Sequence, residues 1–410
     1  MPQPEQPQSQ RIARARLVQQ CIANPTFSQP GAVVDWLGAL QAQDYDGALW
    51  SIGLRMVSAT KPVVEQALAD RTIVRTWPLR GTLHFVAAHD VRWLLALLTP
   101  RVIAQSAGCY RQLELDEVIF ARSKEVFAKA LQGGKQLTRA EMQQALEQAS
   151  IATAGQRGYH MLVRAAQGGL ICFGIPRGKQ QTFALLDEWV PPTPSLARDA
   201  ALAELTRRYF TSHGPATVQD LMRWAGLTAA EAKTGLAEAG KDLCQTTLAG
   251  RVYWMARELQ DHIDRSQSLH LLPGFDEYIL GYGDRSAVLD PAYAQHICPG
   301  GNGVFNPTVV IDGAVTGVWK RIVKKGAVVI DCAPFRTVDC HGKPRAQRRR
   351  SPLWRIPGHA RRAGIPNMEF LVSRCGVTGE GLGRCWRLTR GGSDGVDVRG
   401  MRIGCPGARL

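Results

Sequence analysis

The sequence predicts an α+β protein: tandem winged helix-turn-helix domains, then a small C-terminal β domain, then an irregular Arg/Gly-rich tail. Three observations lead there. Within residues 10–336 a pattern of two or three helical segments followed by a two-stranded ribbon occurs three times. After Arg257 the texture changes to short strands with tight turns, and after Thr337 no period of 3.6 or 2 is sustained. The resulting division is 10–98, 99–192 and 193–258 for the helical units, 259–336 for the β-rich part and 337–410 for a disordered basic tail.

The first unit runs through RIARARLVQQCIA, GAVVDWLGALQAQ and KPVVEQALA and ends in TIVRTWPLRGTLHFV. The second has EVFAKALQ, TRAEMQQALEQA and RGYHMLVRAAQ before GLICFGIPRGKQQTFALL. The third has LAELTRRYFTSHG, TVQDLMRWAG and TAAEAKTGLAEA before DLCQTTLAGRVYWMA. Thr138, Thr217 and Thr228 each stand three residues ahead of Glu141, Asp220 and Glu231, a capping-box spacing that starts a helix. Leu83/Phe85 and Val252/Trp254 alternate as strands with one buried face should. Helices followed by a β ribbon describe a winged helix-turn-helix, which places a helix in the major groove or serves as a protein–protein module. In the β-rich part, Asp312-Gly313 favours a turn whose twist matches its flanking strands. A small β-barrel or an open sheet accounts for about residues 265–336.

With 410 residues, 45% hydrophobic and 21% charged, the chain suits two to four folded domains and is neither collagen-like, disulfide-scaffolded nor wholly disordered. Its longest apolar runs, such as Trp93–Leu98, fall far short of the roughly 18 residues of a membrane span. The polar start MPQPEQPQSQ reads as cytoplasmic. Ten cysteines without a CxxC pair argue against a zinc site or planned bridges. The net charge of +15 is uneven: residues from Thr337 onward hold 15 Lys+Arg against 5 Asp+Glu, and the first 336 hold 35 against 30. The body is therefore only mildly basic, weak support for nucleic-acid binding. The tail is either a basic nucleic-acid arm or an accidental C-terminus, such as a shifted reading frame leaves, and the latter is favoured.

No phosphate-binding loop, GxSxG, HExxH or dinucleotide fingerprint is present, and the nine histidines never pair at metal-ligand spacing. A lone histidine such as His84 reads as hydrogen-bonded structure. Asp276-Glu277 reads as acid/base machinery or, more commonly, as a solvated or capping pair. Arg75, Arg80, Lys320 and Arg321 are candidates for phosphate contacts.

The segments LGALQAQDYDGALWSIGLR, RTWPLRGTLHFV, YFTSHGPATVQDLMRWAGL, LLPGFDEYILGY and GAVTGVWKR resemble, in order over about residues 10–336, winged-helix DNA glycosylases of the AlkZ/YcaQ type. The resemblance implies a tandem winged-helix array with a C-terminal β-barrel, and the barrel is the reading adopted. It implies release of N7-alkylated guanines and unhooking of interstrand crosslinks, without metal or nucleotide cofactor. Its catalytic signature, glutamine–apolar–glutamine, falls on Gln41-Ala42-Gln43. The partner implied is double-stranded DNA containing alkylated or crosslinked purines, bound by a monomer. The competing reading is a non-catalytic winged-helix regulator, and a third is a partner-binding protein.

Residue chemistry is compatible with that signature. Glutamine is neutral and cannot act as a general base. An N7-alkylated guanine is already cationic and leaves as a neutral base without protonation. What remains is to hold a water and stabilise positive charge on the sugar, which amide carbonyls can do. Residues i and i+2 share a face on extended backbone but not on a helix. The helix holding Trp36–Leu40 is therefore predicted to end near Gln41, with Asp44, Asp46 and Gly47 as breakers. Asp44, the nearest true base, takes a secondary role.

Overall fold

The computed structural model describes residues 8–248, 250–257, 268–324 and 327–338, with short strands at 344–345, 370–372, 385–387 and 402–404. Helix α1 (Gln8–Gln19) precedes α2 (Pro30–Leu37), which has proline in its first turn and stops at Gly38. Gly38 has φ 76°, a value open to glycine, and there the chain leaves the helix for good. A two-residue strand β1 (Leu40–Gln41) follows, then α3 (Tyr45–Leu54) and α4 (Lys61–Ala69). The ribbon of β2 (Ile73–Leu79) and β3 (Thr82–Ala87) closes this unit, and β1 joins its edge in the order β1-β3-β2. Leu40 lies opposite Phe85 and Gln41 opposite His84.

This ribbon departs from the one-face expectation. Leu83, His84 and Phe85 are all buried, because elements pack against both sides. Phe85 joins the core of α2 and α3, with Val33, Leu37 and Ile52. Val86 instead joins Leu94 and Leu98 of α5 (Val91–Gln105), and Leu83 joins the core of the next unit.

That second unit contains α6 (Ala107–Gln112), α7 (Glu117–Leu131), β4 (Leu137–Thr138), α8 (Arg139–Gln148) and α9 (Arg157–Gln167). The ribbon β5 (Ile171–Phe173) and β6 (Thr182–Leu185) and the single turn α10 (Leu186–Trp189) complete it. Its sheet order, β4-β6-β5, repeats that of the first unit, with Leu137 opposite Phe183 and Thr138 opposite Thr182. The third unit has α11 (Arg198–His213), α12 (Val218–Ala225), α13 (Ala229–Ala239) and the ribbon β7 (Leu243–Leu248) and β8 (Arg251–Ala256). Here one residue, Ala216, bridges to Trp254 before α12 begins. The capping boxes at Thr138, Thr217 and Thr228 all form. In β8 the alternation holds in the opposite phase: Tyr253 and Met255 are buried and Val252 is exposed.

The β-rich part holds β9 (Leu269–Leu272), the turn α14 (Glu277–Leu280), α15 (Ala294–Ile297), β10 (Thr308–Ile311), β11 (Ala314–Lys324) and β12 (Ala327–Pro334). Asp312 and Gly313 turn β10 into β11 with φ 51° and 88°, as an Asp-Gly turn requires. The expected barrel is not what forms. Among the described residues the strands make an open sheet, ordered Phe370–Val372, β12, β11, β10, β9. The reason is that both faces are covered from outside. Val310 and Val315 pack with Ala13 and Leu17 of α1 and with Tyr278 and Ile279. Leu271, Val309 and Trp319 pack with Trp50 of α3. A sheet so covered has no inner face to bury on itself.

The molecule is thus an α+β fold, and among the described residues no helix is long and apolar enough to cross a membrane. Apart from the short strands already named, the expected irregular tail lies outside the described residues.

Candidate active site

Gln41 ends the two-residue strand β1, and Ala42 and Gln43 link it to α3, with a bend at Gln43. Leu40 and Ala42 turn into the apolar core with Phe85, a cluster to which neither glutamine belongs. Gln41 is 7% exposed, and Gln43 stands exposed. The Ala42 N–H donates to Leu83 O at 2.8 Å. The Leu83 N–H points at Gln43 Oε1 in a long contact of 3.5 Å, too weak to lock that carboxamide. No hydrogen bond of the described residues engages the Gln41 carboxamide. Asp44 is exposed at the N-cap of α3 but makes no capping bond.

Arg75 is not the surface cation the sequence suggested. It is 6% exposed, and its guanidinium donates to Ala42 O at 2.7 Å and to Gln181 Oε1 at 2.9 Å. It also lies over the rings of Phe173 and Tyr45, and burial pushes its pKa down to about 10. The fork grips the carbonyl between the two glutamines, so it acts on the motif from inside the protein.

Behind β1 lies the segment PGFDEYILGY. Asp276 and Glu277 are both about 1% exposed, so the solvated reading of this pair is wrong. The Asp276 carboxylate takes both Arg55 terminal nitrogens at 2.9 Å and the Ser51 hydroxyl at 2.5 Å, fastening the segment to α3. It also accepts the Tyr278 N–H, a capping role that sequence did suggest. Glu277 Oε1 accepts the Gln41 backbone N–H at 3.1 Å, and Oε2 accepts the Trp224 indole N–H at 2.9 Å. Burial pushes both carboxyls up, but their partners outweigh it and hold them below the usual range: chiefly Arg55 for Asp276, and His213, His84 and the Gln41 N–H for Glu277. Tyr282 OH then donates to His213 O, and Asp220 accepts the Gly283 N–H. One short segment therefore joins α3, β1, α11 and α12.

His84, across the ladder from Gln41, is fully buried, with Nδ1 3.0 Å from Thr82 O. Burial and then Arg80 push its pKa down to about 4, so the ring is neutral at pH 7. Arg80 is partly buried with φ 51°, and burial lowers its pKa, with the charge of Glu277 opposing that shift. Arg321 is bonded to Asp46 in the first turn of α3 at 2.9 Å, which brings it to the motif. Lys320 is 69% exposed and pairs with Asp331 at 3.3 Å. Asp35, His89 and Asp90 bring ligand atoms within 4.8 Å of one another, but Arg208 already sits on both carboxylates.

A family model described as DNA glycosylase AlkZ-like matches residues 34–350. The chain belongs to the AlkZ-like DNA glycosylase family. Among curated relatives it is similar to an interstrand DNA cross-link repair glycosylase of Streptomyces sahachiroi, 29% identical over 328 residues, covering 72% of this chain and 83% of that one. Among solved structures it is similar to the Streptomyces sahachiroi DNA glycosylase AlkZ, with a TM-score of 0.68 and 24% identity, over 82% of this chain and 94% of the other. At that identity the structural likeness is one of fold.

In this AlkZ-like chain the residues that hold the candidate glutamines in place are not evident from the sequence around them. Glu277 reaches the Gln41 N–H across 236 residues and is itself held by Trp224, while Asp276 next to it is held by Arg55. The available signal was two adjacent acids inside an otherwise apolar run, LLPGFDEYILGY.

Proposed function

We propose that this protein is a DNA repair glycosylase that hydrolyses the N-glycosidic bond of N7-alkylated guanines in double-stranded DNA and unhooks interstrand crosslinks made through that position. The observation carrying the proposal is that Gln41 and Gln43 flank Ala42 where the chain passes from β1 to α3, and neither belongs to the apolar core that Ala42 joins, in a chain of this family. The bond from C1′ to the base breaks, and the cationic 7-alkylguanine departs as a neutral base. Positive charge passes to the sugar, where the two carboxamide oxygens stabilise it and hold the incoming water. Water adds to C1′ and gives up its proton to solvent or, in a secondary role, to Asp44. Undamaged bases leave too slowly for so mild a site. The reaction is monofunctional and needs neither metal nor nucleotide cofactor.

In this reading residues 10–98, 99–192 and 193–258 are winged-helix domains acting within a monomer. The repeated sheet order and the bridge at Ala216 support it. The segment 259–336 contributes Lys320 and Arg321 to the DNA phosphates beside the motif, Arg80 has a lesser part, and Arg75 positions Ala42. The test is incubation with duplex carrying N7-methylguanine, then alkali, which converts abasic sites into strand breaks. Breaks at the modified base are expected. Their absence here and on crosslinked duplex would leave only a non-catalytic DNA-binding protein.

A further inference from the structure

The buried acid behind the motif has a role that packing does not supply. We infer that Glu277 is a positioning residue for catalysis, fixing Gln41 from behind through its backbone N–H. The inference deepens the glycosylase reading above and rests on it.

The argument begins with the edge of a sheet. β1 has a strand neighbour only on the β3 side, so the outward N–H of Gln41 has no ladder partner. In most proteins such a group meets water or another strand. Here it meets a carboxylate oxygen at 3.1 Å, inside the protein. The same carboxylate is held by the Trp224 indole at 2.9 Å, from a helix of the third unit. Trp224 is itself buried, and Gly38 passes close to its ring: a Cβ there would lie 3.7 Å from Cη2. The acid, the indole and the turn that releases the motif from α2 are thus mutually fixed.

A buried carboxylate is costly unless paired. Asp276, one residue earlier, has Arg55. Among the described residues Glu277 has no lysine or arginine nitrogen within ion-pair distance, and its nearest basic group is His213 Nε2 at 3.5 Å. A packed apolar residue would fill the place at less cost, but it would leave the Gln41 N–H unsatisfied and the backbone free to shift. Glu277 keeps Gln41 in register with His84 while Arg75 holds the next carbonyl from the other side. Both anchors act on main chain, so the glutamine carboxamide stays free for water and sugar. A fixed negative charge behind that carboxamide also favours a cationic sugar in front of it.

The test is single-turnover release of 7-methylguanine by the full chain, with duplex affinity and melting temperature measured on the same samples. Glu277→Gln keeps size and one acceptor but turns an amide N–H against a donor. It is expected to slow release roughly 10-fold or more, the scale of a small misplacement of reacting groups, with duplex affinity within about 2-fold. A folded Glu277→Gln protein with the wild-type rate overturns the inference. If that variant does not fold, Trp224→Phe decides: it removes one hydrogen bond from the carboxylate and leaves the charge. A slower release at unchanged affinity supports positioning, and a wild-type rate overturns it. Wild-type protein releasing no base defeats the glycosylase reading and this inference with it, whereas active wild type beside unchanged variants defeats the inference alone.

Discussion

The first and second units use the same order of strands and diverge at one place. In each, a two-residue strand joins the edge of the ribbon ahead of a helix, Leu40-Gln41 in one and Leu137-Thr138 in the other. In the second unit Thr138 is at once the end of the strand and the N-cap of α8, with a complete capping box. The third unit does the same, passing from the bridge at Ala216 into the capping box of Thr217. The first unit instead inserts Ala42 and Gln43 between strand and helix, and its N-cap, Asp44, makes no capping bond. Local capping stability is thus given up in the first unit, at the segment proposed to face the substrate. The loss is offset from a distance, by Arg75 and by the buried acids at 276 and 277.

The contrast predicts where each unit is fragile. The largest effect is expected from Arg55→Ala, which strands Asp276 as a buried, unpaired charge and should cost about 3–5 kcal/mol in urea unfolding. The Arg164–Glu117 pair of the second unit, whose glutamate is 80% exposed, is its counterpart, and Glu117→Gln should cost less than about 1 kcal/mol. Equal effects would refute the idea that the first unit is held by its buried charges.

Acid should find the same weakness. His84 and His270 are pushed down to about 4 by burial, so they stay neutral folded while the unfolded chain binds protons. The contribution of these two histidines is therefore flat above pH 7 and falls as pH drops from 6.5 towards 4, by up to roughly 1.4 kcal/mol per pH unit for each group. His84→Gln should remove more of that slope than the corresponding change at His160, which burial lowers less decisively in the second unit. Melting curves from pH 7 to 5 check this.

Arg75→Lys loses the fork that spans Ala42 O and Gln181, and should cost about 1.5–3 kcal/mol while slowing base release more than it weakens duplex binding. The smallest effects concern the caps. Thr217→Ala should cost about 1 kcal/mol, and Asp44→Ala, which removes no capping bond, should stay within about 0.5 kcal/mol. A capping loss at Asp44 as large as at Thr217 would erase the distinction between the units.

What was legible in the sequence was local. The three capping boxes and the Asp312-Gly313 turn depend on neighbours in the chain, and each forms as its spacing implies. The helix through Trp36 instead ends at Leu37, before the expected break near Gln41, because Gly38 turns the chain, and Asp46 and Gly47 lie inside α3 rather than breaking a helix. The β-barrel failed because closure depends on what covers a sheet, and here α1 and α3 do so. Arg75 looked like a surface cation because nothing nearby reveals that Phe173 and Gln181 will enclose it. Glu277 looked like a solvated acid because its partner lies 236 residues away.

The central claim is that two uncharged side chains, Gln41 at the end of β1 and Gln43 just beyond it, perform the reaction. It is tested most directly by single-turnover release of 7-methylguanine from duplex by wild type, Gln41→Ala and Gln43→Ala, each at an enzyme concentration that saturates binding. Each variant is expected to release base roughly 10²-fold more slowly or worse, the scale of removing a positioned catalytic group, with duplex affinity unchanged. Release at the wild-type rate by either variant would contradict the account.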